Sequence, residues 1–107
     1  MSVNNSARAA FPTELRETMI GSPILIGKLE FNPVLIIFDN QSTVPIAIST
    51  SENGAAWRTF PAGQALVLDV SAARQTIQGF SFDKGTSFYG NGASGDFSIS
   101  YIYAKNV

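Results

Sequence analysis

The chain has 107 residues, seven basic and eight acidic side chains, a formal net charge of −1, and neither histidine nor cysteine. That length gives one domain, and the near balance of charge, with Arg8, Arg16, Lys28, Arg58, Arg74, Lys84 and Lys105 scattered, leaves no electrostatic footprint for nucleic acid. Lacking imidazole and thiol, the chain cannot build a His-based general base, a thiolate nucleophile or a zinc site of the usual N/S type, and no disulfide can staple the fold.

Residues 1–22 read as an N-terminal arm. Asn4, Asn5 and Ser6 show no periodicity, and Pro12 closes the polar segment. Thr13 to Met19 continues the arm or forms an edge strand, because a single helical turn is marginal in water. Phe11, Leu15, Met19 and Ile20 need cover, on this chain or on a neighbour. The start of the sequence lacks a basic segment followed by an apolar run of signal-peptide length, and no stretch approaches the ~18 apolar residues of a span. The expectation is a chain made in the cytoplasm and not inserted in a membrane.

Residues 23–107 read as the folded domain. After the break at Gly21, Ser22 and Pro23, Ile24 to Phe31 forms a strand with a bulge at Gly27, and Asn32-Pro33 turns the chain. Val34 to Phe38 (VLIIF) is continuously apolar and predicts a strand covered on both faces, which requires a second layer. Past the turn at Asp39 to Thr43, Ile46, Ile48 and Thr50 alternate with Pro45, Ala47 and Ser49. Glu52, Asn53 and Gly54 predict a tight turn whose glycine takes positive φ. Trp57 to Phe60 is a short strand, and Pro61-Ala62-Gly63 a turn with proline as its first central residue. Gln64 to Val70 places Leu66, Leu68 and Val70 on one face. Ser71 to Gln75 is read as an excursion between sheets and Ile77 to Phe82 as a strand with a possible bulge at Gly79. Asp83 to Gly85 turn, Thr86 to Tyr89 is a strand, and GNGASG (Gly90 to Gly95) is the most flexible loop. In Asp96 to Tyr103, the residues Phe97, Ile99, Tyr101 and Tyr103 share a face.

Seven or eight short strands with turns every eight to twelve residues predict an all-β fold: a single antiparallel two-sheet sandwich, jelly-roll-like, with an extended N-terminal arm. An immunoglobulin-like sandwich is the nearest competitor and a closed up-and-down barrel the third.

Carboxylate chemistry remains open to Glu14, Glu17, Glu30, Asp39, Glu52, Asp69, Asp83 and Asp96. A glycosidase needs two such groups across a cleft, whereas most of these fall in turns or strand ends, where Asp caps backbone donors; no enzyme is expected. A calcium site from Asp83 and Asp96 lacks the D-x-D-x-[DN]-G loop, and no metal or cofactor is expected. GNGASG lacks the Lys and Ser/Thr of a phosphate loop and precedes a strand where that loop must open a helix. Trp57, Tyr89, Tyr101 and Tyr103 could form a sugar-stacking platform. The face that Tyr101 and Tyr103 share with Phe97 and Ile99 assigns those two to packing, and leaves Trp57, beside the Asn53-Gly54 turn, as the candidate exposed aromatic. Charged residues make up 14% of the chain against ~25% in an average soluble protein. So low a charge points to a surface hidden in an interface.

The succession VLIIFDNQSTVPIAISTSENG, FPAGQALVLDV and FDKGTSFYGNGASGDFSISYIYA resembles small β-sandwich virion structural proteins of tailed bacteriophages. Asn40, Gly54, Pro61 to Gly63, Asp69, Lys84 to Thr86, Phe88-Tyr89 and Gly95 to Tyr103 occupy the turn and strand positions of that pattern, from Pro33 onward. The hairpin from Ser51 to Thr59 departs from it, lacking the Asp-Gly pairing. The resemblance implies a structural component of the virion, as capsid decoration or a head-to-tail or tail component. Its partners would be copies of itself, as a homo-oligomer, and other virion proteins, met through the arm Ser2 to Ile20 and an exposed sheet face, with no nucleic acid and no membrane. Candidate interface residues are Phe11, Leu15, Arg16 and Met19 in the arm and Asn53 and Trp57 beyond it. Deleting residues 2–12 is expected to spare the fold and impair assembly. The alternative is a carbohydrate- or receptor-binding module that takes a glycan at Trp57.

Overall fold

A computed structural model describes residues 8–70 and 82–106. Among the described residues eight strands run in chain order: β1 (Arg8–Thr18), β2 (Ile24–Lys28), β3 (Pro33–Asn40), β4 (Ile46–Ser49), β5 (Arg58–Phe60), β6 (Ala65–Asp69), β7 (Ser87–Asn91) and β8 (Asp96–Asn106). They form two antiparallel sheets, in the orders β1-β8-β3-β6 and β2-β7-β4-β5. The pairing is nested, with β1 on β8, β2 on β7, β3 on β6 and β4 on β5. One long hairpin, wrapped over so that β8 also meets β3 and β7 meets β4, produces this order. That is the jelly-roll topology, and neither the immunoglobulin-like sandwich nor the closed barrel describes it.

The period-two pattern builds the core. Ile36 and Phe38 of β3, Ile46 and Ile48 of β4, and Phe97, Ile99 and Tyr101 of β8 face the space between the sheets and are buried. Leu66 and Leu68 of β6 pack against them. Phe38 is the hub, with ring centroids of Trp57 at 5.1 Å, Phe60 at 5.7 Å, Phe82 at 6.0 Å and Phe88 at 5.6 Å. Such stacked, tilted and edge-on pairs contribute roughly 0.5–1.5 kcal/mol each beyond burial.

A buried amide fastens one end of the roll. Asn40 Nδ2, with two protons, lies 2.9 Å from the Val44 and Phe60 carbonyls and 3.0 Å from that of Pro61. Its Oδ1 accepts from Ser42 N at 2.9 Å and is 2.8 Å from the Ser42 hydroxyl. The β3–β4 and β5–β6 connections both cross between the sheets at this end, and one fully buried side chain ties them together. Burial without those partners would be costly.

Several expectations change in detail. Arg8 to Thr18 does not hang from the domain as an arm: it pairs along its whole length with β8 as an edge strand. The bulge at Gly27 is present, as a register shift between Leu25 and Gly27. β3 is buried on its core face, but Leu35 and Ile37 on its other face are only half-buried, and no second layer among the described residues covers them. Gly54 does not take positive φ; its backbone donates to Ser51 O at 3.3 Å, and a Cβ there would strike Ser51 Oγ. In the next turn Gln64 N donates to Pro61 O at 3.1 Å, so proline opens the turn and Gly63, at φ 72°, is its second central residue. GNGASG is not one loop, since Gly90 and Asn91 end β7 and Gly92 and Gly95 are packed against Ile46 and Ser42. The Ser71 to Gln75 excursion and the Ile77 to Phe82 strand lie outside the described residues, apart from Phe82, which is buried in the core.

Candidate interaction surfaces

The outward face of the β1-β8-β3-β6 sheet is laid out by register. Leu35 stands between Ile102 and Asp69, Ile37 between Ser100 and Val67, and Asp39 between Ser98 and Ala65. β1 extends these rows with Pro12 opposite Ile102, Glu14 opposite Ser100 and Arg16 opposite Ser98. Leu35, Ile37 and Ile102 are half-buried and Val67 is 57% exposed, so four aliphatic side chains form one patch across three strands. A charged rim borders it. Arg16 Nη2 is 3.3 Å from Glu14 Oε2, Arg16 Nη1 is 3.5 Å from Asp96 Oδ2, and Thr18 Oγ1 donates to Asp96 Oδ1 at 2.6 Å.

The outward face of the β2-β7-β4-β5 sheet has another character. Leu25, Tyr89 and Ser49 form one row, and Asn91, Ala47 and Thr59 the next. Ala47 and Ser49 are too small to fill the space beside Tyr89. The β4–β5 loop bounds the gap with Glu52, Gly54 and Ala56, Pro23 borders it as well, and a hollow of about 190 Å³ results.

The structure distributes the candidate interface residues unevenly. Arg16 is exposed in the charged rim, and Asn53 is exposed at the tip of the β4–β5 loop. Phe11 stands opposite Tyr103 in the β1–β8 pair. Met19 is 3% exposed and belongs to the core, with its sulfur over Gly90, where a Cβ would lie 2.8 Å away. Leu15 packs against the core too, and a Cβ on Gly27 would meet its Cδ2 at 2.9 Å. Both side chains seat on a glycine of the opposite sheet, so they hold β1 to its own domain instead of reaching a neighbour. Trp57 is 7% exposed, not an open platform. Trp57 N donates to Ile48 O at 2.7 Å, which draws the chain into the β4–β5 ladder, and its ring sits 5.0 Å from Phe82.

Sequence reasoning expected an exposed sheet face to make contacts without naming its aliphatic residues, missed the hollow, and passed over Phe31. That ring is stacked on Tyr103 at 3.9 Å and 10°. The signal for the patch was present in VLIIF, whose second apolar face was assigned to a layer of the same domain. The signal for the hollow was the pairing of small outward residues, Ala47 and Ser49, with an aromatic one strand away. Among the described residues no group of three or more His, Cys, Asp or Glu side chains could hold a metal ion.

No protein-family model and no curated protein matches the chain. Among solved structures it is similar to a chain from Bacillus endospore appendages, described as a novel family of disulfide-linked pili. Identity is 15% and the TM-score 0.47, over 90% of this chain and 87% of that one.

Proposed function

We propose that the chain is a structural subunit that self-associates by burying the outward face of the β1-β8-β3-β6 sheet, and that the assembly is the virion of a tailed bacteriophage. There it serves as a capsid decoration or a head-to-tail or tail component. The patch of Leu35, Ile37, Ile102 and Val67 carries the reading. Contiguous aliphatic area on an outward sheet face marks a contact surface. The core covers one side of β3, and among the described residues nothing covers the other. The phage setting draws support from the turn-and-strand succession from Pro33 onward and from the jelly roll, an architecture that capsid domains use. These 107 residues contain no cysteine and so supply no disulfide to such an assembly.

The test is Ile37→Glu, which places a carboxylate in the middle of the patch and leaves the core untouched. Sedimentation of the purified wild-type chain should show an oligomer, and the variant should sediment as a monomer with an unchanged far-UV circular dichroism spectrum. Imaging of particles would then locate the subunit. A wild-type chain that stays monomeric and joins no particle sinks the reading. Truncation is a poorer test than the sequence suggested, since deleting residues 2–12 removes the β1 positions paired with Ile102 through Asn106.

A further inference from the structure

We propose that the hollow between Tyr89 and the β4–β5 loop is a binding site for a neutral saccharide, one ring of which lies on the Tyr89 face. The hollow lies on the sheet opposite the assembly patch, so the inference stands independently of the proposed function.

Geometry comes first. Tyr89 stands in a row with Ser49, and Ala47 with Asn91, so a half-buried ring borders a floor made of a methyl group and a hydroxymethyl group. The loop raises Glu52 beside that floor. A pyranose has an apolar C–H face and a rim of paired hydroxyls. The aromatic face suits the first. For the second, a carboxylate accepts from two hydroxyls, and an amide such as Asn91 both donates and accepts. The Ser49 hydroxyl donates to Ser51 O at 2.9 Å and keeps its lone pairs for a ligand donor.

Charge narrows the class. Among the described residues the lining holds one carboxylate and no cation, so a phosphate or a uronic acid would meet repulsion there. Size narrows it further, because about 190 Å³ is below the ~300–1,000 Å³ of sites for drug-sized ligands. One sugar residue fits, and a site that small and open binds it weakly, with a millimolar Kd. Many copies displayed on one assembly would convert that into avidity.

The experiment is saturation-transfer NMR on the full chain, which reads the ligand; affinities are taken from sugar titrations, because transfer efficiency itself rises with particle mass. The probes are glucose, galactose, mannose and N-acetylglucosamine, with glucuronic acid as the anionic control. At least one neutral sugar should receive saturation, strongest on the protons of its apolar face, and glucuronic acid should receive none. Tyr89→Ala should weaken binding about tenfold, whereas Tyr89→Phe keeps the stacking face and stays within about twofold. Ala47→Leu fills the floor and should abolish the signal; it is the second probe should Tyr89→Ala disturb the sheet. No transfer to any neutral sugar, transfer that persists in Ala47→Leu, or equal transfer to glucuronic acid overturns the site.

Discussion

The two outward faces of this jelly roll are built from the same kind of element and end in opposite surfaces. Each belongs to a four-stranded antiparallel sheet whose inward face is closed by Ile, Leu and Phe. On the β1-β8-β3-β6 sheet the outward positions Leu35, Ile37, Ile102 and Val67 are aliphatic and adjacent, giving a broad patch with charges at its border. On the β2-β7-β4-β5 sheet, Ala47, Ser49 and Asn91 are small or polar beside a single aromatic, and a loop rises over them. Contiguous aliphatic area favours burial against another surface, because its contribution scales with area and is non-directional. A recess with a ring and a few hydrogen-bonding groups favours a small ligand, because its contribution depends on placement. The alternation of the strands decides the core. The identity of the outward half decides function.

The largest effect should come from a change that removes both faces together. Asn40→Ala deletes the amide that joins the two crossing connections: the Phe60 carbonyl and Ser42 N lose their bonds to it, while Val44 O keeps the Ser42 hydroxyl and Pro61 O keeps Gln64 N. The expected loss is about 3 kcal/mol of unfolding free energy, since each buried polar group left unpaired costs roughly 1–3 kcal/mol. Thermal denaturation should show a Tm lower by roughly 10–20 °C, with assembly and sugar binding declining together. If Tm holds while one face alone fails, Asn40 is not the common fastening.

Next in size is Ile37→Glu, which separates the faces. Its side chain is only half-buried on the outward side of β3, so the monomer should lose no more than about 1 kcal/mol, while the oligomer should be lost. The sugar-binding signal, read in the same preparation, should remain. Loss of both would mean that the faces are coupled through the domain, and the comparison drawn above would fail.

How far such surfaces are legible in sequence depends on what periodicity encodes. Period two marks which residues of a strand share a face, and Phe97, Ile99 and Tyr101 were placed together correctly for that reason. It does not say what lies beyond a face. The same VLIIF run that revealed a strand could not show that its second apolar side lacks cover within the described domain. Trp57 illustrates the converse. Its neighbours Asn53 and Gly54 are exposed, whereas its backbone bonds to Ile48 across the hairpin and its ring packs against Phe38, Phe60 and Phe82. Leu15 and Met19 resemble anchors until Gly27 and Gly90 supply their seats, and those glycines lie 12 and 71 residues further along the chain. Local signals found the strands and most turns, and contacts distant in sequence decided the surfaces.

Gly90 offers a smaller test, aimed at the hollow from behind. It lies between Tyr89 and Asn91 with its missing side chain on the core side, where a Cβ would come within 2.8 Å of Met19 Sδ and 3.0 Å of Ile26 Cδ1. Both neighbours are the far ends of flexible side chains, so Gly90→Ala should fold and cost about 1 kcal/mol. Pressure on β7 from the core should tilt Tyr89 and weaken sugar binding without affecting oligomer size. A change in oligomer size would again show coupling between the sheets.

The smallest effect concerns the rim of the assembly patch. Arg16 meets Glu14 and Asp96 at 3.3 and 3.5 Å, and all three side chains are more than a third exposed. Exposed pairs of this kind contribute roughly 0.2–1 kcal/mol and are screened by salt. Arg16→Ala should therefore move the Tm of the monomer by no more than about 4–8 °C at low ionic strength and by nothing measurable at ~1 M salt, where the Debye length is about 3 Å. Its effect on assembly should appear in kinetics. Rim charges steer encounter and set orientation, whereas the desolvated centre holds the complex, so stopped-flow light scattering should show slower association and an unchanged final size. If Arg16→Ala prevents assembly outright while Ile37→Glu permits it, the charged border is the interface and the aliphatic rows are only its inner margin. The contrast between the faces would then be one of charge, with a network of one cation and two carboxylates on one sheet and the single carboxylate of Glu52 on the other.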